Sequence, residues 1–450
     1  MIVDHKWTLL GPSASVGGFF TGPIYYYFML PFLWLFRLDP VGPAYLSAVI
    51  GVAMVWLTYW FGKRFFDARA GLIAAFLVAM SPKMIDISRF SWNPNPVPFF
   101  TLLTIALLYL SSARKKIIYT FLAGISYGIL FQLHYMNLAL GAVLALAVVL
   151  IFPWRQWLWQ FLAAGTGFLL GNSLFIAFEI RHNFPNTRSI WEFITRRGQT
   201  VAPRNFNLIW LDIEILRRLY GMLFGFRETI WEYIYLFVSL AGLGVWVVKL
   251  RATENFKTKV ALILVWLLVG ALGVGSYQGQ LNDHYFGYLF PLPFLLLGLT
   301  GSWLLKRKIG IPVFIGGVVV LSYFMIKNLY FWQRPNRMLS QVREIDRTVL
   351  TYADGKPYNL GLISSFNTDH SYRYYLELWN RAPVIIENPG IDPTRQTVTS
   401  QLVVICEEKK CEPLGNPRWE IAGFGRAEIV ESQMGPAGIS IYKLVHYRGK

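Results

Sequence analysis

Four short polar stretches interrupt an otherwise apolar chain, and they carry residue types that grip phosphate and move protons. The first, IDISRFSWNPNP (85–96), packs Asp86, Arg89, Trp92, Asn93 and Asn95 into a segment where Pro94, Pro96 and Pro98 exclude a regular helix. An Arg there can fork onto a phosphate. A helix-capping turn with an interfacial Arg is the plainer alternative, because turns favour Asn and Pro anyway. The second, FQLHYMN (131–137), holds Gln132, His134, Tyr135 and Asn137. A His there can donate to phosphate or shuttle a proton, or simply be satisfied by a backbone carbonyl. The third, FEIRHNFPNTR (178–188), groups Glu179, Arg181, His182 and Arg188. Its basic groups suit a lipid phosphate, and equally ordinary headgroup contacts. The fourth, YQGQLNDHYF (277–286), offers Asp283 and His284 as a polar pair.

What positions these stretches is an apolar scaffold. The 450 residues are 55% hydrophobic and only 15% charged, against roughly 25% charged in an ordinary soluble chain. A bilayer core about 30 Å thick needs about 20 apolar residues in a helix. Ten runs are candidates: 41–62, 70–83, 97–112, 117–135, 137–152, 157–180, 230–249, 259–276, 285–305 and 309–330. The weakest is 70–83, where AGLIAAFLVAM meets Ser81-Pro82. Within lipid every backbone polar group needs an internal partner, so the runs should be helices. LALGAVLALAVVLIF (138–152) is apolar all round, whereas a buried helix of a soluble protein would carry a polar stripe.

The net charge of +17 does not point to nucleic acid, because many cations sit in short clusters between the apolar runs. Lys63, Arg64 and Arg69; Arg114, Lys115 and Lys116; Arg155; Lys249, Arg251, Lys257 and Lys259; and Lys306, Arg307 and Lys308 occupy one set of connections. The alternate short connections hold only Lys83 and Arg89. Lys and Arg favour the cytoplasmic side. The expectation is therefore a multi-pass protein of the plasma (inner) membrane, with 83–96, 181–229, 277–284 and the tail 331–450 facing outward. All four polar stretches then share that face. A transport pathway would instead place ionisable residues in the middle of several spans, and the middles here are nearly free of them.

Three regions follow. Residues 1–40 read as an outer-face loop with an interfacial helix: GPIYYYFMLPFLWLF, within 22–40, is aromatic, too short to span and interrupted by Pro31. Residues 41–330 form the transmembrane part. Residues 331–450 read as a small α/β domain outside the cytoplasm. There Leu339, Val342, Ile345 and Val349 recur at helical spacing, and 358–366, 402–407 and 438–447 look like strands. The domain shows neither a Gly-rich phosphate loop nor a triad. Its two cysteines, Cys406 and Cys411, fit either a small disulfide loop or two free thiols. No His/Asp/Glu spacing compels a metal.

The order and spacing of LLGPSASVGGFFTGPIYYYFMLPF (9–32), VAMSPKMIDISRFSWNPNP (78–96), FQLHYMN (131–137), FEIRHNFPNTR (178–188) and DHYFGYLFPLPFLLLG (283–298) resemble the GT-C glycosyltransferases. The relevant branch is that of the protein O-mannosyltransferases and the lipid A aminoarabinose transferases. The resemblance covers about residues 8–330. It implies an all-α polytopic membrane fold with an extracytoplasmic site and a C-terminal α/β domain. It also implies a dolichyl- or undecaprenyl-phosphate-linked sugar donor and transfer in one inverting displacement to a protein, lipid or glycan acceptor. Related enzymes differ in whether they use a divalent metal. Arg89, Asn93, Asn95, His134, Tyr135, Arg181, His182, Asp283 and His284 are the candidates for holding donor phosphate and substrate. The family's acidic base, and the helix before it, would lie upstream of Met1. Asp4 stands too close to the Gly11-Pro12 pair to match it, so the expectation is either a late-called start, the favoured reading, or a degenerate copy, and a chain that as written is inactive or poorly inserted. The competing reading from another class is a lipid-linked glycan transporter that makes no glycosidic bond.

Overall fold

The computed structural model describes residues 5–14, 18–195, 208–250, 255–277 and 279–449. Asp4, residues 15–17 of the first motif, 196–207 of the long loop and Arg251 lie outside the described residues. The chain divides into two compact units, Met1–Gln333 and Arg334–Lys450.

In the first unit all ten apolar runs are helical. The elements are α1 (Ile24–Leu35), α2 (Val41–Phe65), α3 (Ala68–Met80), α4 (Pro82–Ile87), α5 (Val97–Arg114), α6 (Ile118–Leu133), α7 (Leu138–Ile151) and α8 (Trp154–Gly171). There follow α9 (Ser173–Arg181), α10 (Pro185–Thr195), α11 (Leu208–Phe224), α12 (Thr229–Leu250), α13 (Phe256–Gly275), α14 (Pro291–Leu305) and α15 (Gly310–Lys327). Among the described residues, α2, α5, α12, α13 and α15 are each long and apolar enough to cross a bilayer. Two bent pairs raise the number to seven: α8 with α9, bent by 75°, and the 3-10 turn Asp283–Leu289 with α14, bent by 50°. The runs 70–83, 117–135 and 137–152 give the shorter α3, α6 and α7. Local chemistry cuts each of them. Pro82 forces Ser81 to an extended ψ of 121°, His134 leaves helical geometry at φ −165°, and Pro153 follows α7. The 22–40 segment gives α1, twelve residues with Pro31 inside.

Two devices hold these helices together. Between α6 and α8 the backbones touch: a Cβ on Gly124 would lie 2.2 Å from the Ala164 carbonyl oxygen, and one on Gly167 2.1 Å from that of Phe121. Small residues permit such close approach where water offers no driving force. Asp67 caps α3 by accepting from the Ala70 N–H at 3.0 Å. The same carboxylate accepts from Ser302 Oγ at 2.7 Å and Lys306 Nζ at 2.7 Å, fastening α3 to α14.

The second unit contains α16 (Met338–Ala353), β1 (Asn359–Ile363), α17 (His370–Leu378), β2 (Gln401–Cys406), α18 (Trp419–Ala422), β3 (Ala427–Met434) and β4 (Ser440–His446). The sheet order is β1-β2-β4-β3. β1 and β2 run parallel, while β4 is antiparallel to both neighbours. Ile345 and Val349 of α16 pack on Leu360, Val403 and Ile441, as the helical spacing expects. β3 was not foreseen. Cys406 and Cys411 are joined as a disulfide, S–S 2.07 Å. Its loop carries Glu407, which accepts from Tyr372 Oη at 2.7 Å and Asn367 Nδ2 at 2.7 Å. It also carries Glu408, which accepts from Ser365 Oγ at 2.7 Å.

A polar cleft at one end of the helical unit

The break at Ser81-Pro82 creates the site. Ser81 Oγ caps α4 and donates to the Leu223 carbonyl at 2.6 Å, drawing the end of α11 against α4. α4 places Lys83 and Asp86 on one wall of a cleft with about 60 Å³ of room. Trp92, Pro94 and Asn95 form a second wall, and Asp283 and His284 of the 3-10 turn a third.

Charge in the cleft is arranged around Asp283. Lys83 Nζ lies 2.9 Å from Asp283 Oδ2, and Arg218 Nη2 lies 3.9 Å from Oδ1. Arg218 also donates to the Leu281 carbonyl at 2.8 Å. Asp86 has no hydrogen-bond partner for its carboxylate among the described residues. Arg89 is exposed beside this wall, its guanidinium 3.6 Å from the centre of the Tyr330 ring. Two cations, Lys83 and Arg218, thus stand at Asp283, and Arg89 follows Asp86 by three residues.

Aromatic packing fixes the imidazoles. The His284 ring lies edge-on to Trp92 at 4.6 Å, to Tyr285 at 4.6 Å and to His134 at 5.0 Å. His134 Nδ1 accepts from the Met136 N–H at 3.2 Å. In the neutral ring that leaves Nε2 as the donor.

The candidates from the sequence therefore separate. Asp283 and His284 line the cleft, His134 packs against His284, and Arg89 stands beside the wall. Asn95 lines the cleft but spends its amide on the Phe90 carbonyl at 2.7 Å, and Asn93 donates to the Leu133 carbonyl at 2.6 Å. Both asparagines brace the 88–96 turn, as Gln132 braces α1: its Oε1 accepts from the Ile24 N–H at 3.2 Å and its Nε2 donates to the Gly171 carbonyl at 2.7 Å. Tyr135 donates to the Phe20 carbonyl, and the Phe20 N–H donates to Asn186 Oδ1 at 2.8 Å. Arg181 and His182 are exposed on the α9–α10 corner and do not line the cleft. Sequence reasoning missed three contributors. Lys83 counted only as a topological charge, Arg218 lay hidden in the long 181–229 connection, and Tyr330 is the final residue of the last apolar run. The Arg217-Arg218 doublet on an amphipathic helix was the available signal.

Among the described residues no three His, Cys, Asp or Glu side chains converge as a metal site requires. Asp283 is already held by cations. The described residues of the cleft therefore do not fit a resident metal.

This architecture is the GT-C glycosyltransferase fold. Residues 21–178 match the family described as dolichyl-phosphate-mannose-protein mannosyltransferase. Undecaprenyl-phosphate-bound ArnT from Cupriavidus metallidurans is similar in structure, with a TM-score of 0.50 and 13% identity over 98% of this chain and 91% of that one. The oligosaccharyltransferase AglB from Archaeoglobus fulgidus, in complex with an inhibitory peptide and a dolichol-phosphate, also has a TM-score of 0.50, with 13% identity over 97% of this chain. The chain spans 66% of that protein's length. A crystal structure of the Archaeoglobus fulgidus oligosaccharyltransferase with Zn and sulfate matches at a TM-score of 0.46 and 14% identity, over 88% of this chain and 60% of the other. No curated protein sequence matches the chain.

Proposed function

We propose that the protein transfers a sugar from a polyprenyl-phosphate-linked donor to an acceptor outside the cytoplasm, by a single inverting displacement. The observation that carries this reading is the gathering of Lys83, Arg89, Arg218, Asp86, Asp283 and His284 at one end of the helical unit. Charge develops on the carrier phosphate as it leaves, and cations placed beside it stabilise it. Lys83 and Arg218 would turn from Asp283 toward that phosphate, with Arg89 completing the set. An acceptor hydroxyl needs a positioned base as it attacks. Asp86, which has no partner among the described residues, is the carboxylate in the cleft free to take that proton. Phosphate carriers in the related ArnT and AglB structures support the donor class. The acceptor is a protein, a lipid or a glycan.

The test supplies membranes containing the protein with undecaprenyl- and dolichyl-phosphate sugars and scores glycosidic product. Transfer that falls sharply in Lys83→Gln and Arg89→Ala supports the reading. Unchanged rates in both variants overturn the site. Movement of the donor across the bilayer without product overturns the reaction in favour of a transporter.

A further inference from the structure

We propose that the α9–α10 corner is a docking surface for anionic phospholipid headgroups, separate from the donor cleft. α8 and α9 together are long and apolar enough to cross a bilayer as one bent span. The exposed flank of Leu162, Leu169 and Leu170 on α8 faces outward from the bundle. At Asn172 the chain bends by 75°. The α9–α10 corner therefore follows the end of that span, where the chain leaves the hydrocarbon core.

Apolar exposure continues around the corner: Ile180 is 62% exposed, Phe184 47% and Trp191 68%. Arg181 and Arg188 are exposed beside them and have no carboxylate partner among the described residues. Glu192, on the same face of α10, is not free. Large apolar side chains interleaved with unpaired cations at the end of a span match the acyl–headgroup boundary of an anionic leaflet.

The corner is also built to be rigid. Glu179 is 3% exposed and accepts four hydrogen bonds. They come from the Asn186 N–H and Nδ2 at 3.3 and 2.8 Å, and from the Thr187 N–H and Oγ1 at 2.8 and 2.7 Å. This caps the first turn of α10. Asn183 and Phe184, at φ 61° and 60°, make the turn that the cap holds. Glu179 faces inward while Arg181 and Trp191 face out, so the acid in this motif orients the helix and the cations are left for the bilayer.

The experiment places a spin label at Trp191→Cys in the full chain in nanodiscs; Cys406 and Cys411 are paired with each other, so labelling is selective. A label at Leu169→Cys on α8 reports that the fold is intact. The Trp191 label should be shielded from an aqueous relaxation agent, and more so in discs containing phosphatidylglycerol than in phosphatidylcholine alone. In Arg181→Glu/Arg188→Glu the lipid preference should vanish, each cation being worth about a fivefold shift in occupancy, with the Leu169 label unmoved. A label open to water in both lipids overturns the proposal. So does a label indifferent to phosphatidylglycerol but shielded by equimolar undecaprenyl phosphate, which would return the corner to the donor site.

Discussion

Lys83 and Asp283, 200 positions apart in sequence, meet in an ion pair of 2.9 Å across the mouth of the polar cleft. Lys83 is 20% and Asp283 47% exposed at the side chain, so the pair contributes little to stability. Its consequence is positional: an ammonium is held at the cleft and can be handed to an incoming phosphate. Lys83→Gln should lower kcat/KM for sugar transfer by tenfold or more, on the order expected for loss of one charge-stabilising group. Asp283→Asn should raise KM more than it lowers kcat, because Lys83 and Arg218 remain but lose their anchor. Steady-state transfer assays on both variants check this. Equal losses in kcat for the two would mean that Asp283 itself takes part in the chemistry.

The C-terminal unit should weaken with rising pH. Asp346 is fully buried, neither carboxylate oxygen has a partner among the described residues, and burial pushes its carboxyl up to about 8. A group raised in the folded state binds its proton more tightly there than in the unfolded chain. Its stabilising effect is complete below about 4, the ordinary carboxyl value. It is lost as pH climbs toward 8, by at most about 1.4 kcal/mol per pH unit. Amide exchange of β1 and β2 in the full chain at pH 5 and pH 8 measures the slope, and Asp346→Asn should flatten it. An identical slope in the variant would assign the effect to other groups.

Reduction should loosen one loop of the same unit. The Cys406–Cys411 disulfide brackets Glu407 and Glu408, which hold Ser365, Asn367 and Tyr372. Closing so short a loop is worth about 2 kcal/mol on a chain-entropy basis. With dithiothreitol, or in Cys411→Ser, exchange should rise in residues 364–372 and stay unchanged in α2 and α5. Uniform protection after reduction would show that the loop stands without its clasp.

The tail should be reachable from outside the cell. Phe366 is 97% exposed. A Phe366→Cys variant should therefore react with a membrane-impermeant maleimide on intact cells. Reaction only after permeabilisation would reverse the orientation inferred from the cation clusters, and with it the side of the proposed chemistry.

The sequence displays the helices more readily than the site, for a physical reason. An apolar run such as 138–152 has no folded alternative in lipid, so its helix is readable from hydropathy alone. α3 and α6 are equally legible, and their early ends at Ser81-Pro82 and His134 are local effects of proline and of a polar cap. β3 escaped notice because AEIVESQM lies on an exposed edge, where no buried face imposes alternation. Asn93 and Asn95 carry the residue types of a binding site, yet both satisfy backbone carbonyls, Asn95 that of Phe90 in its own turn and Asn93 that of Leu133 in α6. Only coordinates reveal that choice. Lys83 was visible as a charge, but its meeting with Asp283 depends on packing two helical breaks together, which no local pattern encodes.

One titration bears on the whole reading: sugar-free undecaprenyl phosphate added to the purified protein in detergent, with binding followed by native mass spectrometry. Binding should be saturable in the wild type, about tenfold weaker in each of Lys83→Gln, Arg89→Ala and Arg218→Ala, and unchanged in Arg181→Ala/Arg188→Ala. Equal binding by the three cleft variants and the wild type would contradict the assignment of a carrier-phosphate site to this end of the bundle.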